Sequence, residues 1–518
     1  MPELRYTEEG TVRVIRGCIV LCEGFKNCIN GQVIRFGYGT IGVIVGFNEE
    51  LAQILIIRQA INLKTGDKAQ ATLEPFVTIV GNKFIGRIVN PIGEPLDGLG
   101  PLEPDGTRPI FVDAPSILQR AILSKTLETG VKVIDSMIPV GLGQRELILG
   151  DKMTGKTTIG TDAIINQRHT GLYCVYCCIG KANSALGKVV QLFLDKDCFK
   201  YTVIVSATAA FPPGQLYLAP YVSSAIAEHL RDQGKDVLIV FDDFTKHAWA
   251  YREISLLLER APGRDSYPGD IFYLHSKLVE RAAFMSKELG GGSITHLPIV
   301  ETLEGDLTGY VQSNLVSMTD GQIMVNAALF SEGQKPAVDL GLSISRVGSK
   351  VQWPIIKKLA APLRLEYLQY REVLRVSKLK TSGQSDEAEN QLKTGGILTE
   401  LLKQGPGQPV AMESLVIILY AYNKKILHEM MIEEVVKFQT EIYDYFHKKD
   451  PELLKTMRQK RDLDDAMKKK CDEILAEYLK ELIAKRPKEE LDEDSDGGVG
   501  VDVLDKATTK KKEEAKAK

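Results

Sequence analysis

Over residues 1–75 short apolar runs recur at close, regular spacing: Val12–Ile15, Cys18–Leu21, Gln32–Phe36, Thr40–Val45 and Ala52–Ile57. Turns rich in glycine, asparagine and lysine separate them. This pattern predicts a small β-barrel or sandwich. From about residue 76 the pattern changes. Lys83–Val89 leads into the turn-rich stretch Pro91–Gly100, and apolar runs then alternate with helical ones to about residue 352. The apolar runs are Leu147–Leu149, Leu172–Ile179, Thr202–Ser206 and Val237–Phe241. Such alternation predicts a parallel sheet covered on both faces, with ligands at the carboxyl ends of its strands.

Over residues 353–485 the apolar period is helical, in Leu359–Leu379, Ser385–Leu392, Leu398–Leu402, Met412–Lys437 and Pro451–Ala484. These segments predict a helical bundle. From Arg486 to Lys518 charges dominate and large apolar groups nearly vanish, which predicts a disordered tail. The expected organisation is multidomain α/β: a β domain over 1–75, a nucleotide domain over 76–352, a helical domain over 353–485 and a charged tail over 486–518.

The junction after Leu147–Leu149 adds chemistry. Gly150-Asp151-Lys152-Met153-Thr154-Gly155-Lys156-Thr157 fits the phosphate-loop pattern G-x-x-x-x-G-K-[ST] at every fixed position. A strand precedes it, and Thr158 opens a helical run. Gly150 and Gly155 let the backbone turn and aim N–H groups at phosphate oxygens, while the helix N-terminus adds partial positive charge. Lys156 reaches the outer phosphates, and the Thr157 hydroxyl is a magnesium ligand in such loops. The strand Val237–Phe241 ends in Asp242-Asp243, where enzymes of this kind hold the magnesium shell. Asp242 is assigned to that shell; Asp243 is not assigned.

Composition limits the alternatives. The chain has 518 residues, 44% of them hydrophobic and 26% charged, with a formal net charge of -3. That balance gives no reason to expect nucleic acid as the main partner. No apolar run approaches the ~18 residues that span a bilayer. Met1-Pro2-Glu3-Leu4-Arg5 is neither a signal nor a transit peptide. Of eight cysteines, Cys174-x-x-Cys177 has redox or zinc spacing, but no second pair or nearby histidine completes a ligand set. It sits in an apolar run, so small core residues in a reducing compartment are the expectation.

Several longer segments resemble the alpha subunit of the rotary, ion-translocating ATP synthase family. They are Val131–Gly141, Gly143–Asp151, the loop itself, Phe241–Lys246, Ala261–Asp270 with Phe272–Ser276, Ser317–Ile323, Gly341–Gly348, Gln369–Glu372 and Leu401–Gly405. The resemblance runs in one register over roughly 10–480. It implies an N-terminal β-barrel, a central RecA-like nucleotide domain and a C-terminal helical domain. It implies ATP or ADP with Mg2+, held by Gly150, Asp151, Lys152, Met153, Thr154, Gly155, Lys156, Thr157, Thr158 and Gln404, with Thr157 and Asp242 on the metal. Arg346 stands where the family has the arginine that reaches into the neighbouring beta site, and Ser343 where it has a required serine.

The partners implied are catalytic beta subunits in an alternating hexameric ring, a central gamma-type stalk and a membrane sector. No nucleic acid is expected. The implied location is peripheral, on the cytoplasmic face of a bacterial-type cell membrane. Catalytic beta subunits carry a water-activating glutamate after a strand-ending glycine. Lys181, in Ile179-Gly180-Lys181, stands at that position, where alpha subunits usually have glutamine. A protonated lysine cannot accept a proton, so the site is expected to hold nucleotide and not turn it over. The chain also departs from the family at Met153, Lys335 and Pro406, around the bound nucleotide. Its β-type pattern starts near Thr11, leaving no room for the usual helical extension that binds the peripheral stalk.

Two other functions compete with this one. A catalytic homo-hexameric ATPase, such as an export or RNA-translocating motor, would need the glutamate that Lys181 replaces; an RNA motor would also need a basic or aromatic track. An alpha-like subunit of another rotary-type motor would fit the short N-terminus.

Overall fold

The computed structural model describes residues 7–58, 63–377 and 386–483, and the side chains of all of these except 7, 73, 74, 386, 387 and 429. The start of the chain and the charged tail predicted over 486–518 lie outside the described residues. By packing the chain divides into two compact units, 1–439 and 440–518.

The first unit begins with a closed antiparallel barrel. Its strands are β1 Thr7–Arg16, β2 Ile19–Glu23, β3 Gln32–Phe36, β4 Ile41–Phe47, β5 Leu51–Arg58 and β6 Lys68–Pro75, in the order β1-β2-β5-β4-β3-β6. Alternate residues point inward, and Val12, Val20, Cys22, Ile34, Phe36, Ile44, Ile54 and Ile56 fill the interior. This closure selects the barrel over the sandwich. Strand β6 has no counterpart among the apolar runs. Its inward residues are Ala69 and Ala71, too small to mark a hydrophobic alternation. It closes the barrel by pairing with both β1 and β3.

A nine-stranded sheet follows. Its order is Ile344–Ser345, Gly321–Val325, Glu146–Gly150, Ser293–Glu301, Asp236–Asp242, Tyr173–Ile179, Thr202–Ala207 and Ile88–Val89, with Ala283–Phe284 alongside Ser293–Glu301. The strands are parallel except Ala283–Phe284 and the edge strand Ile344–Ser345. The central strands are buried on both faces, which is why they read as continuous apolar runs rather than alternating ones. Helix Pro213–Arg231 covers one face, burying Leu218, Val222, Ala225 and Ile226.

Helices then run over Pro354–Ser377, Asp386–Leu402 and Met412–Asn423. The two segments predicted at Ser385–Leu392 and Leu398–Leu402 are one helix. It continues through Gly395, where a Cβ would lie 2.2 Å from the Tyr370 ring. The glycine is therefore a contact point between two helices, not a break. Conversely, the single helix predicted over Met412–Lys437 breaks after Asn423. Lys425 turns left-handed at φ 61°, and a new helix opens at Ile432. The Asn423 amide donates to Leu419 O at 2.8 Å and to Leu359 O at 3.1 Å, tying the end of this helix to Pro354–Ser377. In the second unit the predicted Pro451–Ala484 is also two helices, Pro451–Lys460 and Asp465–Ile483. Asp450 caps the first by accepting the Leu453 N–H at 3.0 Å, and left-handed Arg461 ends it. No described helix is long and apolar enough to cross a membrane.

Candidate functional site

The phosphate loop joins the strand Glu146–Gly150 to the helix Lys156–Ile165. Two glycines make the turn. A Cβ on Gly150 would lie 2.5 Å from the Val325 carbonyl oxygen, and Gly155 caps the helix at φ 99°. Met153 takes φ 63° and is 90% exposed at the tip. Asp151 ties the loop to the next strand end: its Oδ1 accepts from Thr302 Oγ1 at 2.7 Å and from Gly305 N at 2.9 Å. Its carbonyl accepts from Thr154 Oγ1 at 2.8 Å and from Lys156 Nζ at 2.5 Å. Burial pushes the Lys156 pKa down. Lys152 reaches outward to within 3.9 Å of Glu301, and Thr158 continues the helix.

Three neighbouring strands end beside this loop. Cys178 lies opposite Asp242 in the sheet, which sets Gly180 and Lys181 next to the Asp242–Asp243 turn. Gly180 adopts φ 64°, and a side chain there would strike Lys246. The Lys181 ammonium donates to Asp242 Oδ2 at 2.5 Å and to Thr157 Oγ1 at 2.7 Å. Thr157 Oγ1 itself donates to the same Asp242 oxygen at 2.8 Å, as does the Tyr176 hydroxyl at 2.7 Å. Asp242 Oδ1 is buried without a protein hydrogen bond. Asp243 caps the helix Phe244–Leu257 by accepting from Lys246 N at 2.8 Å. Burial, with Asp242 beside it, raises its carboxyl to about 7. Lys246 lies over the Trp249 ring at 3.7 Å and within 3.8 Å of Glu301.

Thr157 and Asp242, the expected magnesium pair, are thus brought together, but an ammonium bridges them. Magnesium requires near-octahedral oxygen ligands at ~2.0–2.1 Å and keeps several waters. In this arrangement the lysine holds the space that metal and water would need, so the residues as placed do not fit the ion.

Gln404 lies in a segment packed beside the phosphate-loop helix, against the turn at Gly130. Its amide donates both hydrogens, to Gly130 O at 2.7 Å and Gln408 O at 2.8 Å. Its oxygen accepts from Lys132 N at 3.0 Å. Only a remaining lone pair on that oxygen is open to a ligand. Asp162, on the phosphate-loop helix, accepts Gly407 N at 2.9 Å and anchors the same segment. Lys335 extends over Phe330 at 4.9 Å, and its carbonyl accepts the Gln404 N–H.

Ser343 and Arg346 sit elsewhere. Ser343 is fully buried; its hydroxyl accepts the Met324 N–H at 2.9 Å. Arg364 donates to the Ser343 carbonyl at 2.8 Å. Ser345 donates to Pro139 O at 2.7 Å and accepts from Gln144 at 3.1 Å. A Cβ on Gly348 would lie 1.4 Å from that Pro139 oxygen, so the turn fits only glycine. Arg346 is exposed on this pinned turn, its N–H on Asp320 O at 2.9 Å, and its guanidinium makes no ion pair among the described residues. Ser345 pairs with Gly321, which pairs with Glu146, whereas the loop leaves from Gly150. Arg346 is therefore at the opposite end of these strands, roughly 13 Å or more along the chain direction from its own phosphate loop.

Comparison with known proteins places this geometry. Residues 130–345 match the nucleotide-binding domain of the ATP synthase alpha/beta family, and 352–478 match the C-terminal domain of ATP synthase alpha/beta chains. The chain is 41% identical over 478 residues to ATP synthase subunit alpha of Clostridium botulinum, covering 92% of this chain and 95% of that one. The chain belongs to the ATP synthase alpha subunit family. Subunit alpha of Streptococcus mutans is 42% identical over 462 residues, 89% of this chain and 92% of the relative. That of Aquifex aeolicus is 39% identical over 483 residues, 93% and 96% respectively.

Some parts of this alpha-family site carried no sequence signal of their own. Tyr176 read only as a buried strand residue, yet it holds Asp242. Thr302 and Gly305, which fix Asp151, lie in an ordinary loop. The cysteines are free and buried or half-buried, and burial raises the Cys178 thiol to about 12, in keeping with a core role.

Proposed function

We propose that this chain is the non-catalytic, nucleotide-binding alpha subunit of a rotary ATP synthase, and that Arg346 acts on the neighbouring catalytic beta subunit. In this reading 1–75 caps the assembly, 76–352 holds the nucleotide and 353–485 forms the helical domain. The loop Gly150–Thr158 receives the phosphates of ATP or ADP. Its backbone N–H groups and Lys156 bind the phosphate oxygens, and the helix N-terminus adds partial charge.

Hydrolysis needs an acceptor to orient the attacking water. At the position where that acceptor would stand, Lys181 is a donor bound to Asp242 and Thr157. This supports a site that retains nucleotide without cleaving it, and counts against a catalytic homo-hexamer.

The observation that carries the proposal is the position of Arg346: exposed, braced by the buried Ser343 hydroxyl and the half-buried Ser345 hydroxyl, and at the far end of the sheet from its own loop. A guanidinium there can reach phosphate only on another chain. Heterologous contacts around a ring bring each subunit's edge to the next subunit's site. Arginine suits the task because it is always charged and presents a planar fork of donors. The ring would alternate with beta subunits around a gamma-type stalk. It would couple through a membrane sector to a transmembrane proton gradient, peripheral to the cell membrane on its cytoplasmic face.

The test is reconstitution of the complex with Arg346→Ala or Arg346→Lys. Turnover should fall by roughly 10³–10⁵-fold, the contribution of arginine fingers in P-loop systems, while nucleotide occupancy and assembly persist. Near-normal turnover by an intact ring would remove the role.

A further inference from the structure

We propose that Lys181 takes the place of the divalent cation, so that this chain binds nucleoside triphosphate in its metal-free form. The inference rests on the reading of Gly150–Thr158 as a nucleotide loop.

Four observations carry it. First, the Lys181 ammonium lies 2.7 Å from Thr157 Oγ1 and 2.5 Å from Asp242 Oδ2, the two atoms that would organise a magnesium shell. A magnesium on Thr157 at ~2.1 Å would lie within about 5 Å of that fixed positive charge, and a metal-bound water turned toward Asp242 Oδ2 would compete with the ammonium for the same oxygen. Second, the lysine is built in rather than swinging. Its side chain is 19% exposed, its carbonyl accepts Ala209 N at 2.9 Å, and the left-handed Gly180 before it packs on Lys246. Third, Asp242 Oδ2 is saturated by three donors, Lys181, Thr157 and Tyr176. An oxygen so occupied is a poor acceptor for metal-bound water. Fourth, positive charge is supplied in other ways. Lys156 is in the loop, and Lys152 and Lys246 flank it, both within 4 Å of Glu301. With Lys181 these make four ammonium groups around a ligand that carries several negative charges.

The ammonium also explains why the site need not be catalytic. A magnesium ion bridges the two outer phosphates and neutralises charge that develops during transfer. A lysine hydrogen-bonded to Asp242 and Thr157 balances the ground-state charge and stays where it is.

The experiment is calorimetric titration of the full chain with ATP, in EDTA and in excess magnesium, for the wild type and Lys181→Gln. For the wild type, Kd in EDTA should equal or lie below that in magnesium, within about threefold. For Lys181→Gln, binding should become magnesium-dependent, weakening about tenfold or more in EDTA. Circular dichroism of both proteins checks the fold. A wild type that loses about tenfold or more in EDTA overturns the inference while leaving the nucleotide reading standing. Absence of ATP binding by the folded wild type in either buffer overturns the nucleotide reading, and the inference with it. The wild-type arms decide the matter even if the variant does not fold.

Discussion

Two ends of the same strands behave in opposite ways. At the carboxyl end of Glu146–Gly150, four lysines gather around a loop made to bind phosphate, and they are engaged with protein acceptors or carboxylates. At the other end, beside Gly321, one exposed arginine stands without an ion-pair partner among the described residues. In the proposed reading the first end receives nucleotide, and the second presents a donor to a site on a neighbouring chain. The supports differ too. Beside the C-terminal end of the phosphate-loop helix, the buried carboxyl of Asp135 accepts from Thr129 and Gly130, in the turn that also holds Gln404. The arginine edge rests on the hydroxyls of Ser343 and Ser345. The lysines of the phosphate end are surrounded by counter-groups, whereas Arg346, on its pinned turn, has among the described residues only the field of the buried Glu146 carboxyl beside it.

The comparison breaks most visibly if the receptor end proves catalytic. The purified chain alone should turn over ATP at least ~10³-fold below the ~10 per second of a typical enzyme. A steady-state assay giving rates near that typical value would refute the division of labour.

The next largest effect concerns the buried acid in the turn that holds Gln404. Burial raises the Asp135 carboxyl from 3.8 to about 7. The folded chain therefore keeps this proton at pH values where the unfolded chain has lost it. The corresponding stability is full below pH ~4, declines as pH rises, and is gone above about 7. At ~1.4 kcal/mol per unit, the span is roughly 4 kcal/mol at most. Urea denaturation at pH 5 and pH 8 should show a steeper loss for the wild type than for Asp135→Asn. Equal slopes would show that the acid is not protonated in the fold.

Lys156→Ala should weaken ATP binding by ~10–100-fold, the worth of one hydrogen bond to a charged group. Folding, checked by circular dichroism, should survive. Unchanged affinity would mean that the loop does not grip phosphate. The smallest effect is at the donor end. Ser343→Ala leaves the buried Met324 N–H unpaired and should cost about 1–3 kcal/mol of stability, read by urea denaturation. It should lower turnover of the complex less than loss of Arg346 does. A larger loss of turnover than Arg346→Ala would make Ser343 more than a brace.

Much of this was legible in the residues. The apolar runs of the central sheet and the loop motif announce themselves because full burial and phosphate binding constrain residue type tightly. Strand β6 does not, because Ala69 and Ala71 fill the barrel with almost no hydrophobic signal. The break after Asn423 is hidden because the apolar period continues across it. Sequence set Lys181 at the water-activating position, but not its reach to Asp242. That follows from the pairing of Cys178 with Asp242 across two strands more than sixty residues apart. Ser343 and Arg346 were visible only through family resemblance. The fact that they share a pinned turn at the far end of the sheet depends on the antiparallel edge strand Ile344–Ser345, two residues long and without a sequence signature.

The central claim, that the two ends serve different nucleotide sites, is tested most directly by a double-mutant cycle in the assembled complex. Single-turnover hydrolysis is measured for wild type, Lys156→Ala, Arg346→Ala and the double variant. If Arg346 acts on a partner's site, its loss costs the same factor with or without Lys156, and the two effects add within ~0.5 kcal/mol. If Arg346→Ala has no further effect once Lys156 is gone, both residues serve one site, and the account is contradicted.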